Sequence, residues 1–126
     1  MRTRILVVDD DPTSLRTVEG MLEAAGYDVY TATQADDIEK TVRDAQPALI
    51  VMDLIMPNTD GNQAVKKLQN NPAIKNIPVV FLTAIKMRDE DRGIDFEVNV
   101  DNVSYRTLTK PVDPRTLISE IQRLVK

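Results

Sequence analysis

The sequence predicts a single α/β domain over residues 1–126, with a doubly wound parallel β-sheet and helices on both of its faces. Short apolar runs without charge alternate with segments whose apolar residues recur at helical spacing. Strands that alternate with helices in this way are typical of βαβ units and therefore of a parallel sheet. Because crossovers between parallel strands are right-handed, we expect helices to cover both faces. The sequence contains no internal repeat or low-complexity segment.

The composition excludes several kinds of chemistry. The chain has neither cysteine nor histidine, which excludes disulfides, thiolate metal sites and Ser-His triads. A net charge of -4 argues against direct nucleic-acid binding by this domain. No apolar run is long enough to span a bilayer, and Met1-Arg2-Thr3-Arg4 leads directly into a strand rather than a signal peptide. We therefore expect a cytoplasmic protein without membrane contact.

The first half of the chain predicts three strands and two helices. Arg4–Val8 is a β-branched run typical of a buried strand, and Asp11-Pro12 is a helix start with Asp as N-cap. A second strand is expected at 29–32, and the third at 49–52 runs into Asp53. The apolar stripes of the two helices are Leu15, Val18, Leu22 and Ala25, capped by Gly26, and then Ala35, Ile38, Val42 and Ala45.

The second half predicts two more strands and two more helices around turn signals. Asn58-Thr59-Asp60-Gly61 is a turn by composition. The fourth strand is expected at 77–82, ending at Thr83-Ala84, and a short strand at 108–109 precedes Lys110. Asp113-Pro114 repeats the helix-start signal. The helix stripes are Ala64, Val65 and Leu68, and then Leu117, Ile118, Ile121 and Leu124.

Polar residues follow the predicted strands at the points where they end. The carboxyl ends of parallel strands share one edge of the sheet, so these side chains are expected to meet in one crevice. Clustered carboxylates have raised pKa values unless a cation joins them, and an all-oxygen site suits Mg²⁺, or Mn²⁺. Taken alone, Asp53 could equally be a strand-ending acid that accepts loop hydrogen bonds. The residues are Asp9, Asp10, Asp53, Thr83 and Lys110.

The motifs VVDDDP, MDLIMPNTDG, FLTA and TKP, in this order and spacing, resemble the receiver domain of two-component response regulators over essentially the whole chain. The resemblance implies a flavodoxin-like sheet of five parallel strands in the order 2-1-3-4-5. It also implies a phosphoacceptor switch. Such a domain is not an enzyme, except that it promotes its own phosphorylation and its own slow dephosphorylation. The phosphodonor would be a sensor histidine kinase or a histidine phosphotransfer protein, and the output partner is unknown.

The resemblance also implies roles for individual residues. Asp53 matches the phosphoacceptor and a metal ligand, Asp10 the direct metal ligand, and Asp9 a residue acting on the metal through water. The backbone carbonyl of Ile55 would be a further ligand. Two more residues would act on the phosphoryl group itself. Thr83 matches the hydroxyl that turns toward this group, and Lys110 matches the lysine that pairs with it. The resemblance also implies a cis peptide bond between Lys110 and Pro111.

Two isoleucines are expected to set the lifetime of the phosphorylated state. Ile55 and Ile85 stand two residues after Asp53 and Thr83, positions that flank the path of the attacking water in this family. Branched apolar side chains cannot orient a water molecule. We therefore expect slow autodephosphorylation.

Residues 85–107 depart from the family's pattern. Phe96, Val98 and Val100 alternate with polar residues, and an Asp-Asn turn separates them from a similar run. This predicts a β-hairpin that replaces much of the fourth helix, with an irregular loop as the alternative. Thr107 occupies the place of the family's switch aromatic, and Tyr105 on the same strand face is the nearest ring. The surface around the fourth and fifth helices, which phosphorylation is expected to change, must also differ.

Three alternative functions make different demands on the sequence. A pseudo-receiver would signal without phosphorylation, and the missing aromatic favours it while the retained acids oppose it. A phosphatase of the dehalogenase type needs a second acid where Ile55 stands. A flavin-binding protein of similar topology needs a hydroxyl-rich phosphate loop after the first strand, where three aspartates would repel a phosphate.

Overall fold

The computed structural model describes residues 2–54, 61–84 and 96–125. The strands are β1 (Arg4–Val8), β2 (Asp28–Ala32), β3 (Leu49–Asp53), β4 (Val79–Thr83), β5 (Phe96–Val100) and β6 (Val103–Thr109). The helices are α1 (Pro12–Ala24), α2 (Ile38–Ala45), α3 (Gly61–Gln69) and α4 (Pro114–Leu124). None of these helices is long and apolar enough to cross a membrane.

The strands form one sheet in the order β2-β1-β3-β4-β6-β5. Neighbours from β2 to β6 pair in parallel, whereas β5 pairs antiparallel with β6. The predicted α/β class and the order of the five parallel strands are confirmed. The prediction of five strands in an all-parallel sheet was wrong, because the hairpin adds an antiparallel sixth strand at the edge.

The hairpin predicted around Asp101-Asn102 is confirmed, and the irregular loop is excluded for residues 96–107. Both turn residues have positive φ, 50° and 71°, as a two-residue turn of type I′ requires. The Asn99 Oδ1 atom also accepts a hydrogen bond from the Asn102 backbone N–H at 3.0 Å. Residues 85–95, where the hairpin was expected to replace the fourth helix, lie outside the described residues.

The sheet is buried between two apolar cores, one on each face. The first packs α2 and α3 against one face, and the second packs α1 and α4 against the other. Side chains of β1 and β3 alternate between the two cores, which explains why their sequences are uniformly apolar. The doubly wound arrangement therefore follows from apolar residues on both sides of every central strand.

The helix boundaries follow the predicted caps. Asp11 accepts a hydrogen bond from the Thr13 N–H, and Asp113 accepts one from the Thr116 N–H, both at 3.1 Å. Gly26 follows α1 with a φ of 95°, a conformation that favours glycine. Ala25 was expected in the apolar stripe of α1, but it is exposed because the helix ends at Ala24.

Candidate functional site

Three carboxylates meet at the carboxyl ends of β1 and β3. One oxygen each of Asp9, Asp10 and Asp53 lies within 4.8 Å of the others. Asp9 and Asp53 are only 2% and 7% exposed, and Asp10 is the most exposed of the three. The Asp9 backbone N–H donates to the Ala32 carbonyl at 3.0 Å, which aligns the end of β1 with β2. Buried like charges at this distance repel one another unless cations join them.

Lys110 brings one cation to these carboxylates from the loop after β6. Its Nζ atom lies 2.8 Å from Asp9 Oδ2 and 3.5 Å from Asp53 Oδ2. Its backbone N–H donates to the Thr83 carbonyl at 2.8 Å, continuing the pairing of β6 with β4. The Lys110-Pro111 bond is cis, as the resemblance implied.

The ion pair moves the pKa values of both partners in opposite directions. Burial alone would raise the pKa of Asp9, but hydrogen bonds from Lys110, the Asp11 N–H and Ser14 outweigh it and lower the pKa. Burial would lower the pKa of Lys110, but its bond to Asp9 and the charge of Asp53 raise it. Both groups are therefore charged near neutral pH.

The donor set fits a hard divalent cation. Three carboxylates face one ammonium, so a single lysine leaves the cluster with excess negative charge. All three ligands are oxygen atoms, and the partly exposed Asp10 leaves room for metal-bound waters, as Mg²⁺ requires. Asp9, Asp10 and Asp53 are the described residues that would contact such an ion, either directly or through water.

Thr83 ends β4, the strand next to Asp53. It is fully buried, and β4 pairs with β3 so that Leu82 stands opposite Asp53.

The backbone is closely packed where α3 begins, since a Cβ on Gly61 would lie 2.9 Å from the Leu54 carbonyl oxygen. Glycine at this position lets α3 begin directly against the end of β3. Ile55, Ile85 and the turn expected at 58–60 lie outside the described residues.

Thr107 and Tyr105 face the α3 side of the sheet from β6. Thr107 is 0% exposed and stands opposite Phe81 of β4. The Tyr105 ring packs edge-on against Phe81, with centroids 5.7 Å apart. The Gln69 Nε2 atom donates to the Tyr105 hydroxyl at 2.7 Å and to the Val100 carbonyl at 3.0 Å. Gln69 thus ties the hairpin to α3, a contact that the sequence did not predict.

A second charged cluster lies between β6 and α4. Glu120 is 6% exposed, and its two oxygens accept hydrogen bonds from Arg106 Nε and Arg123 Nε. The bond from Arg123 lowers the pKa of Glu120 most, burial opposes it, and Arg106 adds to the lowering. The sequence analysis missed this cluster, although Glu120 interrupts the apolar stripe of the last helix beside Ile121.

Comparison with known proteins identifies the family. The response regulator receiver domain model matches residues 5–122, so the chain belongs to this family, and the resemblance of its motifs is confirmed. The chain is thus a receiver module of two-component signal transduction. It is 33% identical to protein PilH of Pseudomonas aeruginosa over 97% of both chains. It is 31% identical to PhoP of Bacillus subtilis, a regulator of alkaline phosphatase synthesis, over its whole length but only 50% of PhoP.

Solved structures agree in fold. The chemotaxis protein CheY4 of Vibrio cholerae superposes with a TM-score of 0.80 at 26% identity, covering 98% of this chain and 99% of CheY4. The receiver domain of a sensor histidine kinase from Pseudomonas aeruginosa superposes with a TM-score of 0.81 at 25% identity, covering 99% of this chain and 98% of that domain. That domain has a magnesium ion coordinated in its active-site cleft. The flavodoxin-like receiver fold is therefore confirmed.

Proposed function

We propose that this domain accepts a phosphoryl group on Asp53 from the phosphohistidine of a sensor histidine kinase or a histidine phosphotransfer protein. A cytoplasmic location is part of this proposal. The observation that carries it is the meeting of Asp9, Asp10 and Asp53 within 4.8 Å, with the Lys110 ammonium 3.5 Å from Asp53. A carboxylate nucleophile beside a cation site and a lysine is the combination that phosphoryl transfer needs.

In the proposed reaction an oxygen of Asp53 forms a bond to phosphorus as the N–P bond of the phosphohistidine breaks. The departing imidazole takes up a proton from solvent. A bound Mg²⁺ would neutralise charge on the transferring phosphoryl group. Lys110 would pair with a phosphoryl oxygen, and Thr83 would donate its hydroxyl to another. Positioning and charge neutralisation are what the protein contributes to such a transfer.

A cavity beside the acids suits the approach of the donor. It has a volume of about 410 Å³ and lies between α1 and the segment that follows β6. Val18, Met21 and Val112 give it apolar walls, and Lys110 forms part of its lining. A donor helix packed against α1 at this point would present its phosphohistidine next to the carboxylates. We propose this cavity as part of the donor-docking surface.

One observation favours a pseudo-receiver as the second candidate. Thr107, in the place of the family's switch aromatic, is fully buried and has no ring to rotate. Its hydroxyl donates to the Tyr105 carbonyl at 3.3 Å, a bond that does not involve the acids. A pseudo-receiver has no need of a charged, buried acid cluster, however, and burying unbalanced carboxylates is costly. The phosphoacceptor is therefore the better supported function.

The test is incubation with acetyl phosphate and Mg²⁺, followed by intact mass measurement. We expect one phosphoryl adduct on the wild-type protein and none on Asp53→Asn. Asp28→Asn is the matched control, because Asp28 is exposed at the opposite end of the strands, where β2 begins. No adduct on the wild type would favour the pseudo-receiver. An adduct that persists in Asp53→Asn would refute the assignment of the acceptor.

A further inference from the structure

The strand β5 lies at the edge of the sheet, and no strand in the described ranges pairs with its outer side. Its sequence, Phe96–Val100, contains neither lysine nor proline, and its register with β6 is continuous, without a bulge. Natural sheets use lysines, prolines and bulges to keep their edges from pairing with other chains. We propose that β5 pairs antiparallel with β5 of a second copy of this chain, so that the two sheets become one across a two-fold axis.

The hairpin determines which backbone groups of β5 point outward. Val100 and Val103 flank the two-residue turn and pair with each other, so they exchange hydrogen bonds across the hairpin. Hydrogen-bonded and non-hydrogen-bonded pairs alternate along antiparallel strands, so Val98 also bonds to β6. The N–H and C=O groups of Glu97 and Asn99 therefore point away from β6. Each of these two residues offers one donor and one acceptor to a second strand.

The charges of the chain select one two-fold register for this pairing. When two copies of β5 pair around Val98, Glu97 of one copy stands opposite Asn99 of the other, and both outward residues find backbone partners. A register centred on Glu97 would place this carboxylate opposite its own copy. A register centred on Asn99 would place Glu97 opposite Asp101 of the second copy. Like charges directly opposite one another destabilise paired strands, which leaves the register centred on Val98.

The side chains of β5 also suit pairing between two copies of this chain. Val98 is half-buried against the core on the α3 side, so the two copies of Val98 would meet beside that core at the axis. Side chains approach most closely in a non-hydrogen-bonded pair, which favours an apolar contact at this position. Glu97 and Asn99 are exposed and alternate with Val98, so they lie on the other face. A strand of another protein has no reason to match these charges, whereas the chain matches itself.

The test is sedimentation velocity over a range of protein concentrations, with Asn99→Asp as the variant. Asp keeps the oxygen that accepts the Asn102 N–H bond, so the turn is retained, but its charge faces Glu97 of the second copy. We expect a reversible dimer of the wild type. The dissociation constant should rise roughly fivefold in Asn99→Asp, because the axis repeats the repulsion on both sides. Adding Glu97→Gln to Asn99→Asp removes the repulsion and should restore the wild-type value.

Amide hydrogen exchange, measured by NMR, shows which edge of the sheet forms the dimer. The N–H groups of Glu97 and Asn99 point outward, so their exchange should slow as the protein concentration rises. The N–H group of Val98 bonds to β6, so its exchange should be slow at every concentration. A dimer that slows exchange in β2 instead, at the opposite edge, would overturn the proposal.

The matched control is Gln34→Glu, which adds one negative charge at an exposed residue after β2. Because this residue lies beyond the opposite edge strand, the dissociation constant should not change. Equal effects of Gln34→Glu and Asn99→Asp, or a wild type that stays monomeric at millimolar concentration, would refute pairing through β5. No phosphodonor is present, so the result is independent of whether Asp53 accepts a phosphoryl group.

Discussion

Two charge clusters, one just beyond the end of β6 and one in its middle, differ in how far their charges are buried. Just beyond the end of β6, Lys110 meets the carboxylates of Asp9 and Asp53. In the middle of β6, Arg106 meets Glu120, which also accepts a bond from Arg123. In the first cluster Asp9 and Asp53 are almost completely buried, whereas in the second only Glu120 is buried and its two arginines are 35% and 55% exposed. Since buried charge is costly unless it is balanced, the first cluster favours a bound cation, while solvent screens the charges of the second.

The largest expected effect tests the acid cluster. Asp10→Asn removes a carboxylate from the proposed metal site, and we expect phosphorylation of Asp53 by acetyl phosphate to become at least about 100-fold slower. Labelling is followed by intact mass over a series of Mg²⁺ concentrations.

Asp28→Asn again serves as the control for loss of one exposed carboxylate. If Asp10→Asn kept both the labelling rate and its Mg²⁺ dependence, Asp10 would have no part in a metal site. The contrast between the clusters would then rest on burial alone.

The sequence predicted one cluster and missed the other for a physical reason. Every member of the acid cluster lies at or just after the end of a parallel strand, and all such ends share one edge, so pattern alone predicts that they meet. Arg106 reaches Glu120 only because of the face of β6 on which it lies. That face depends on the register of the hairpin and on its pairing with β4, which a local pattern does not define.

The strands of the sheet also differ in how far a local sequence pattern predicts them. The apolar runs predicted β1, β3 and β4, because strands buried on both faces must be apolar throughout. The Asp101-Asn102 turn predicted the hairpin, because both residues tolerate the positive φ that such a turn needs. Nothing in the run at 96–100 indicated that β5 would extend the sheet at its edge. Its outward residues are polar, as on any half-buried strand.

The next prediction concerns the stability that Glu120 contributes. Glu120→Gln keeps the size of the side chain but removes the charge between Arg106 and Arg123. We expect the free energy of unfolding to fall by about 1 to 2 kcal/mol at neutral pH, since hydrogen bonds to charged groups contribute about this much. Both arginines are partly exposed, which keeps the loss small. Urea unfolding measures this loss of stability. The control is Glu23→Gln, because Glu23 lies on the exposed side of α1.

The pKa of Glu120 is lowered in the folded protein, and this determines how the stability that Glu120 contributes changes with pH. A carboxyl group whose pKa falls on folding contributes its stability above the unfolded value, here near 4.5, and loses it as the pH falls through the folded value. The arginines stay charged throughout. The difference between wild type and Glu120→Gln should therefore be constant above about pH 4.5 and shrink in more acid solution. A difference that grows on acidification contradicts this account.

A smaller kinetic effect is expected from the two isoleucines that stand two residues after Asp53 and Thr83 in the sequence. We predict that Ile55→Asn with Ile85→Glu shortens the lifetime of phosphorylated Asp53 by roughly tenfold, because polar side chains can orient an attacking water. The lifetime is measured by intact mass after removal of acetyl phosphate. The swap Ile55→Val with Ile85→Val is the control, as it keeps both positions branched and apolar. A wild-type lifetime of only seconds would contradict the predicted slow autodephosphorylation.

The smallest effect separates Tyr105 from both clusters. Tyr105→Phe removes the hydroxyl that accepts the Gln69 bond at 2.7 Å but keeps the ring against Phe81. We expect a loss of about 0.5 to 1.5 kcal/mol, seen as faster amide hydrogen exchange in β5. Gln69 retains its bond to the Val100 carbonyl, so the hairpin should stay in place.

The same variant tests whether Tyr105 in the hairpin responds to phosphorylation of Asp53. Because Gln69 fixes the Tyr105 hydroxyl against α3, we expect the ring not to move with phosphorylation, and labelling of Asp53 should be unchanged in Tyr105→Phe. Tyr30→Phe on β2 is the control, since Tyr30 is exposed at the opposite edge of the sheet. An altered labelling rate in Tyr105→Phe alone would mean that Tyr105 replaces the missing switch aromatic. Signals would then pass along the α3 side of β6, not along the side on which Arg106 meets Glu120.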